Sequence, residues 1–103
     1  MSPTPVEVHT AAITEAREAR LRYESQSPVA AERFVAEVDR AIDRIGAAPL
    51  QWPPHTHGTR RISLRRFPFH LVYQVHDDGV LVLAVAHNRR RPDYWRSRAR
   101  PGI

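Results

Sequence analysis

The chain has neither cysteine nor lysine. The first absence excludes a disulfide framework and a thiol nucleophile, and is compatible with a reducing compartment. The second means that all 16 basic residues are arginine, which favours planar, bidentate contacts to phosphate or carboxylate over point-charge attraction. No apolar run approaches the roughly 18 residues a membrane span needs, and the first residues lack a basic-then-apolar signal pattern. A soluble, cytoplasmic protein with no membrane partner is expected. Internal repeats and low-complexity tracts are also missing. At 103 residues the chain is read as one domain, 1–103, with a single modest core whose stability leans on a partner, and with loose ends at 1–5 and 99–103.

Charge is divided unevenly along the chain. Residues 1–59 hold six arginines against eight carboxylates, net −2, and residues 60–103 hold ten arginines against three aspartates, net +7. The basic half is also the half that reads as strands.

In the acidic half, Val6–His9 alternates as a short strand does. Ala12, Ala16, Ala19 and Tyr23 then recur at helical spacing, with Thr10 as the expected N-cap and the helix running to about Ser25; Glu15, Arg17, Glu18 and Arg22 fall elsewhere on the wheel. A second helix starts at Ser27 with Pro28 in its first position, carries the stripe Phe34, Val38, Ile42 and Ile45, and is expected to end at Gly46 and Pro49. The short connection predicts an antiparallel helix hairpin covering a sheet.

In the basic half, prolines make 49–58 a surface loop. Arg60–Arg66 alternates as a half-exposed strand, Phe69–His76 as a second, and Asp77-Asp78-Gly79 turns the chain into Val80–Ala86, apolar on both faces and so expected to be the most central strand. Phe69, Leu71 and Tyr73 share one face and read as core, while His70 lies on the other. That hairpin leads straight into His87-Asn-Arg-Arg-Arg-Pro-Asp-Tyr-Trp-Arg-Ser-Arg98, so a sheet end delivers guanidinium groups mixed with aromatics. Such a density of like charge is kept where something anionic binds, nucleic acid or an acidic protein. Arg60, Arg65 and Arg66 are expected beside Arg89–Arg91.

Taken together, the helix hairpin, the three-strand meander, Arg66-Phe-Pro-Phe-His-Leu-Val-Tyr73, Leu71-Val-Tyr-Gln-Val75 and the ending His87-x-x-Arg-x-Pro-x-Tyr-Trp95 resemble the RelE/ParE toxin superfamily of bacterial type II toxin–antitoxin systems. The resemblance covers about Val6 to Arg98. It implies an α+β fold of order β-α-α-β-β-β, a two-helix hairpin on a small, twisted, mainly antiparallel sheet. It also implies a growth-arresting toxin held inactive by a cognate antitoxin, with either DNA gyrase or the ribosome and its mRNA as target. No cofactor and no metal are implied.

The site separates the two targets, since the fold is shared. RNA cleavage beside a 2′-hydroxyl needs a proton acceptor, a proton donor and cations for the developing charge, and arginine serves only the last. The RelE-type ribonucleases carry two lysines spaced i, i+2 where this chain has Arg61 and Ser63, an arginine at His70, and an arginine and a tyrosine matching Arg89 or Arg90 and Tyr94. Ser63 and His70 depart from that pattern. His70, His87 and Tyr94 are the candidate catalytic groups for a metal-independent endoribonuclease, and Arg61, Arg65, Arg89, Arg90 and Arg91 the candidates for binding RNA or a protein target. A ParE-like gyrase inhibitor needs only the basic, aromatic surface, and that reading is favoured. A degenerate toxin or plain nucleic-acid-binding module is the third alternative. His55-x-His57 lacks a carboxylate or thiolate neighbour and makes a weak metal motif. Pro92 and Trp95 are expected to dock the tail on the sheet.

Overall fold

The computed structural model describes residues 4–101. Strand β1 (Val6–Val8) leads into helices α1 (Thr10–Gln26) and α2 (Pro28–Ala47), and the chain returns through β2 (Arg60–Ser63), β3 (Phe69–His76) and β4 (Gly79–His87). The expected α+β class and order hold. The strands lie side by side as β1-β4-β3-β2, antiparallel except for β1, which runs parallel to β4. Strand β4 is therefore internal, though β1 covers only Val80–Val82 of its outer side.

Capping chemistry explains the helix starts, with one correction. Ser27 Oγ accepts from Ala30 N at 3.2 Å and Pro28 opens α2 as expected. For α1 the N-cap is His9, not Thr10: its Nδ1 accepts from Ala11 N at 3.0 Å. The His9 N–H donates to Val82 O at 2.9 Å, so the end of the strand ladder holds His9 outside the helix, and Thr10 becomes its first residue. Gly46 does not end α2, which continues to Ala47. Instead its bare Cα lets the chain before β1 approach, and Thr4 N donates to Gly46 O at 3.0 Å.

Strand β2 is shorter than its alternation predicts. Leu64 still donates to Phe69 O at 2.9 Å, but the N–H groups of Arg65 and Arg66 turn to Glu37 Oε1 on α2, at 2.9 and 3.3 Å. A helix carboxylate thus takes donors that a strand would have given to a ladder.

Two apolar clusters flank the sheet. The larger joins Ala12, Ala19, Phe34, Val38 and Ile45 of the helices to Leu71, Tyr73 and Val82. The buried Tyr73 hydroxyl donates to Pro49 O at 2.7 Å. On the opposite face Val72, Leu81, Leu83, Ala84 and Ala86 pack against Trp95, so the C-terminal segment does there what the helices do on the first face. The register slips between Val72 and Tyr73, and the consecutive residues Leu83 and Ala84 both join the Trp95 cluster, the signature of a bulge in β4.

The chain ends inside the described region are held rather than loose. Val80 N donates to Pro5 O at 2.9 Å, Arg100 N donates to Gln74 Oε1 at 2.9 Å, and Ala99 packs on the Trp95 cluster. Residues 1–3 and 102–103, also read as loose, lie outside the described residues. No helix of the described residues is long and apolar enough to cross a membrane.

Candidate functional site

Among the described residues no strand lies beside the outer side of β4 beyond Val82, and side chains complete it. Glu15, reaching from α1, accepts from Val85 N at 3.1 Å. The same carboxylate accepts the Tyr94 hydroxyl at 2.7 Å and both Nη atoms of Arg98, at 2.9 and 3.1 Å. Arg98 also donates to Leu83 O at 3.1 Å, within the bulge. Arg90 lies 3.9 Å from the carboxylate, and its guanidinium sits 3.9 Å above the Tyr94 ring. One helix residue, read from sequence only as part of the polar face of α1, thus binds the basic tail to the sheet. Burial first, and then its bond to Glu15, push the Tyr94 hydroxyl well above the ordinary tyrosine range.

A small cavity of about 100 Å³ opens on the tail side of the sheet, lined by His55, Arg61, His70, Asn88, Arg90 and Arg91 among others. Its rim is closed by a clasp between the proline loop and the tail. Thr56 Oγ1 donates to Asp93 Oδ1 at 2.9 Å, and His57 Nε2 lies 3.3 Å from Asp93 Oδ2. His57 and Asp93 both hold left-handed backbone, φ 56° and 62°, a costly state for residues with a side chain, which the mutual contact helps retain. His57 is thereby committed to the clasp, and among the described residues no group of three or more His, Asp or Glu gathers as a metal site would require.

The candidate residues divide between places. Arg61, Arg90, Arg91, His70 and Tyr94 meet around this cavity. Arg65 does not: with Arg66 it lines a groove on the helix side of β2, because the Glu37 contact turns the backbone there. Arg60, expected beside Arg89–Arg91, points to the Trp52 carbonyl. Arg89 is exposed, its N–H donating to His87 Nδ1 at 3.0 Å. The two candidate histidines are separated by the sheet itself. Phe69 pairs with His87 and His70 with Ala86; the His87 ring stands edge-on to Phe69 on the helix side, centroids 5.1 Å apart, while His70 faces the tail. The cavity also holds His55, which sequence reading set aside as half of a poor metal motif. Only the fold of a proline loop brings it beside His70, and no local pattern carries that.

His70 is buried, with Nδ1 2.8 Å from Asn88 Oδ1. An amide oxygen accepts, so Nδ1 carries the proton and Nε2 is left with its lone pair. Burial pushes this imidazole below its ordinary value, the Asn88 bond opposes, and Arg61 and His55 push it further down. As pH falls, the unfolded chain therefore binds the proton first. The resulting stability is complete above the usual histidine range near 6.5 and is lost as pH falls through it, until folded His70 itself titrates. Melting curves at about pH 7.5 and about pH 5.5 should show a smaller acid-induced loss for His70→Gln than for wild type. Equal losses would refute the assignment, since the two proteins differ only at position 70.

The β-α-α-β-β-β fold has counterparts elsewhere. Residues 6–92 match the family model described as "ParE toxin of type II toxin-antitoxin system, parDE". Among solved structures the chain is similar to one from the chromosomal ParDE toxin–antitoxin system of P. aeruginosa, with TM-score 0.73 and 17% identity over 82% of this chain and 95% of that one. It is also similar to one from the toxin–antitoxin complex RelBE2 of Mycobacterium tuberculosis, with TM-score 0.57 and 25% identity over 84% and 93% of the two chains. No curated protein matches it. With the family model spanning most of the sheet and both helices, the chain belongs to the ParE toxin family of type II toxin–antitoxin systems, and the fold is that of the RelE/ParE superfamily.

Proposed function

We propose that this toxin arrests growth by docking its arginine face on DNA gyrase, and that its cognate antitoxin relieves the arrest. The observation that supports docking over RNA cleavage is the fate of the expected proton carriers. Cleavage beside a 2′-hydroxyl needs a base and an acid at one phosphate. His70 and His87 lie on opposite sides of the sheet, and the Tyr94 hydroxyl is spent on Glu15. Arg61 and Arg91 border the cavity, are exposed, and form no ion pair among the described residues. A protein partner asks for just such cations.

A second reading, RelE-like cleavage of mRNA on the ribosome, is favoured by one feature. His70 and His55 share the cavity with Arg61, so an imidazole pair stands beside a cation there. Induced expression of the lone chain in a bacterial host separates the two. Altered plasmid supercoiling with intact transcripts is expected; cut transcripts with normal supercoiling would overturn the gyrase reading. Arg61→Glu combined with Arg91→Glu should weaken docking by about tenfold or more through lost charge complementarity and so relieve arrest, while His70→Gln remains toxic. The reverse pattern, with His70→Gln harmless and the arginine variant toxic, would support cleavage.

A further inference from the structure

Among the described residues two that are not glycine hold left-handed backbone, His57 and Asp93, and they are each other's partners. Such backbone is disfavoured for any residue with a side chain, even though Asp and His tolerate it better than most. What retains it is a contact between two stretches of chain, in which Asp93 meets Thr56 and His57. The side chains of His57 and Asp93 are 33% and 36% exposed, and an ion pair so open to water contributes little. A weak contact thus opposes a backbone cost of similar size, the balance from which an element with two positions is made.

The element concerned is the segment 89–93, pinned at both ends. Asn88 N donates to Pro68 O at 2.8 Å, and beyond the segment the Tyr94 hydroxyl donates to Glu15 and Trp95 is buried. Between these pins Arg89, Arg90, Arg91 and Pro92 are exposed, and neither Arg91 nor Pro92 donates a hydrogen bond among the described residues. Asp93 ties the segment to the proline loop. Residues 90–93 form one wall of the cavity. Behind that wall sits His70, 9% exposed, with Nδ1 engaged by Asn88 and Nε2 free of any protein partner among the described residues.

We propose that the segment 89–93 is a strap over the His70 cavity, hinged at Asn88 and Tyr94 and latched by Asp93, and that it exchanges between this closed form and an open form in which His70 is uncovered. Opening breaks the contacts of Asp93 with Thr56 and His57 and lets both strained residues return to ordinary backbone, so loss and gain offset each other. The sheet, both pins and the base of the proline loop keep their hydrogen bonds, among them His55 N to Thr59 O at 2.7 Å. The strap carries Arg90 and Arg91, so the latch also sets how far these cations stand from Arg61 on β2. The proposal holds whichever target the toxin has.

The test applies diethyl pyrocarbonate, which acylates an unprotonated imidazole nitrogen, to the purified full chain at about pH 7, where histidine is largely neutral. Each histidine is followed by mass spectrometry, with His76, at the far end of β3, as the internal reference. In the wild-type chain His70 should react more slowly than His76. Asp93→Gly removes the latch while glycine adopts the left-handed backbone freely, so circular dichroism should be unchanged and acylation of His70 should rise about tenfold as the open form gains population, with His76 unaffected. His57→Gly should behave in the same way. Asp93→Asn keeps an acceptor for Thr56 and tolerates the backbone but loses the charge, and should fall between. An unchanged His70 rate in both glycine variants would overturn the proposal, because the wall would then be rigid without its latch. So would His70 and His76 accelerating together, or a wild-type His70 as reactive as His76. Neither gyrase nor RNA takes part in this measurement, so the choice of target stands or falls separately.

Discussion

Glu15→Ala is expected to lower the melting temperature by about 10–20 °C, the effect of losing about 2–3 kcal/mol in a domain of this size. The carboxylate serves three partners at once: Val85 N–H, the Tyr94 hydroxyl and the Arg98 guanidinium. It is largely buried, with 13% of its side chain exposed against 18% for Arg98. Truncation therefore leaves a guanidinium and a backbone N–H facing an apolar strand edge with no acceptor, and a group left unpaired costs more than the pair contributed. Glu15→Gln keeps the size and one acceptor but loses the charge, and should cost about half as much. Because Trp95 lies under the tail that this network secures, its emission should move to longer wavelength in the alanine variant well below the melting point. A Glu15→Ala protein melting within about 2 °C of wild type would show that the network contributes little in solution.

Phe34→Ala should be more damaging still, at about 3–5 kcal/mol. The ring has no solvent exposure and sits at the junction of α2 and the sheet. It meets Tyr23, Phe67 and Phe69 with centroids 5.3, 5.3 and 5.1 Å away, the last two edge-on. Removing it opens a void that three other aromatics cannot fill without leaving their own contacts, so transfer and cavity costs add. Against the roughly 5–15 kcal/mol available to a small domain, the urea midpoint should fall by at least about a fifth. Phe34→Leu retains most of the volume and should cost no more than about 1.5 kcal/mol. If alanine and leucine behave alike, the aromatic cluster is not the centre of this core.

Local chemistry made much of this fold readable. Ser27-Pro28 marks a helix start by the hydrogen bond and backbone angle those residues supply, and the Phe34 to Ile45 stripe needs a sheet to cover it. The Asp77-Asp78-Gly79 turn set the β3–β4 hairpin for the same reason. Errors arose where a distant partner overrode a local preference. Thr10 is a good cap by type, but the ladder bond from His9 to Val82 assigned the position to its neighbour. Arg65 and Arg66 alternate as strand residues do, yet a glutamate on a helix captured their N–H groups. The same blindness governed the site. Arg61, Arg90 and Arg91 are legible because charge density is visible in one dimension. Glu15 carries no such signal, because its partners lie at positions 85, 94 and 98, and nothing on α1 distinguishes it from Glu18. Likewise, His70 and His87 looked equivalent, and only strand register put a sheet between them.

The brief parallel pairing of β1 with β4 also bears on how the protein comes into being. Val6 and Val80 are ladder partners, and this is the most distant strand pairing in the sheet; the helix hairpin and the β2–β3–β4 meander close through much shorter loops. Contacts so remote in the chain form late. During synthesis α1 and α2 can associate as soon as they emerge, but β1 has nothing to join until Val80–Val82 of β4 have been added. At translation rates of about 5–20 residues per second, the residues between β1 and its partner take roughly 4–15 s to add. Strand β1 therefore waits unpaired longer than any other strand of the sheet.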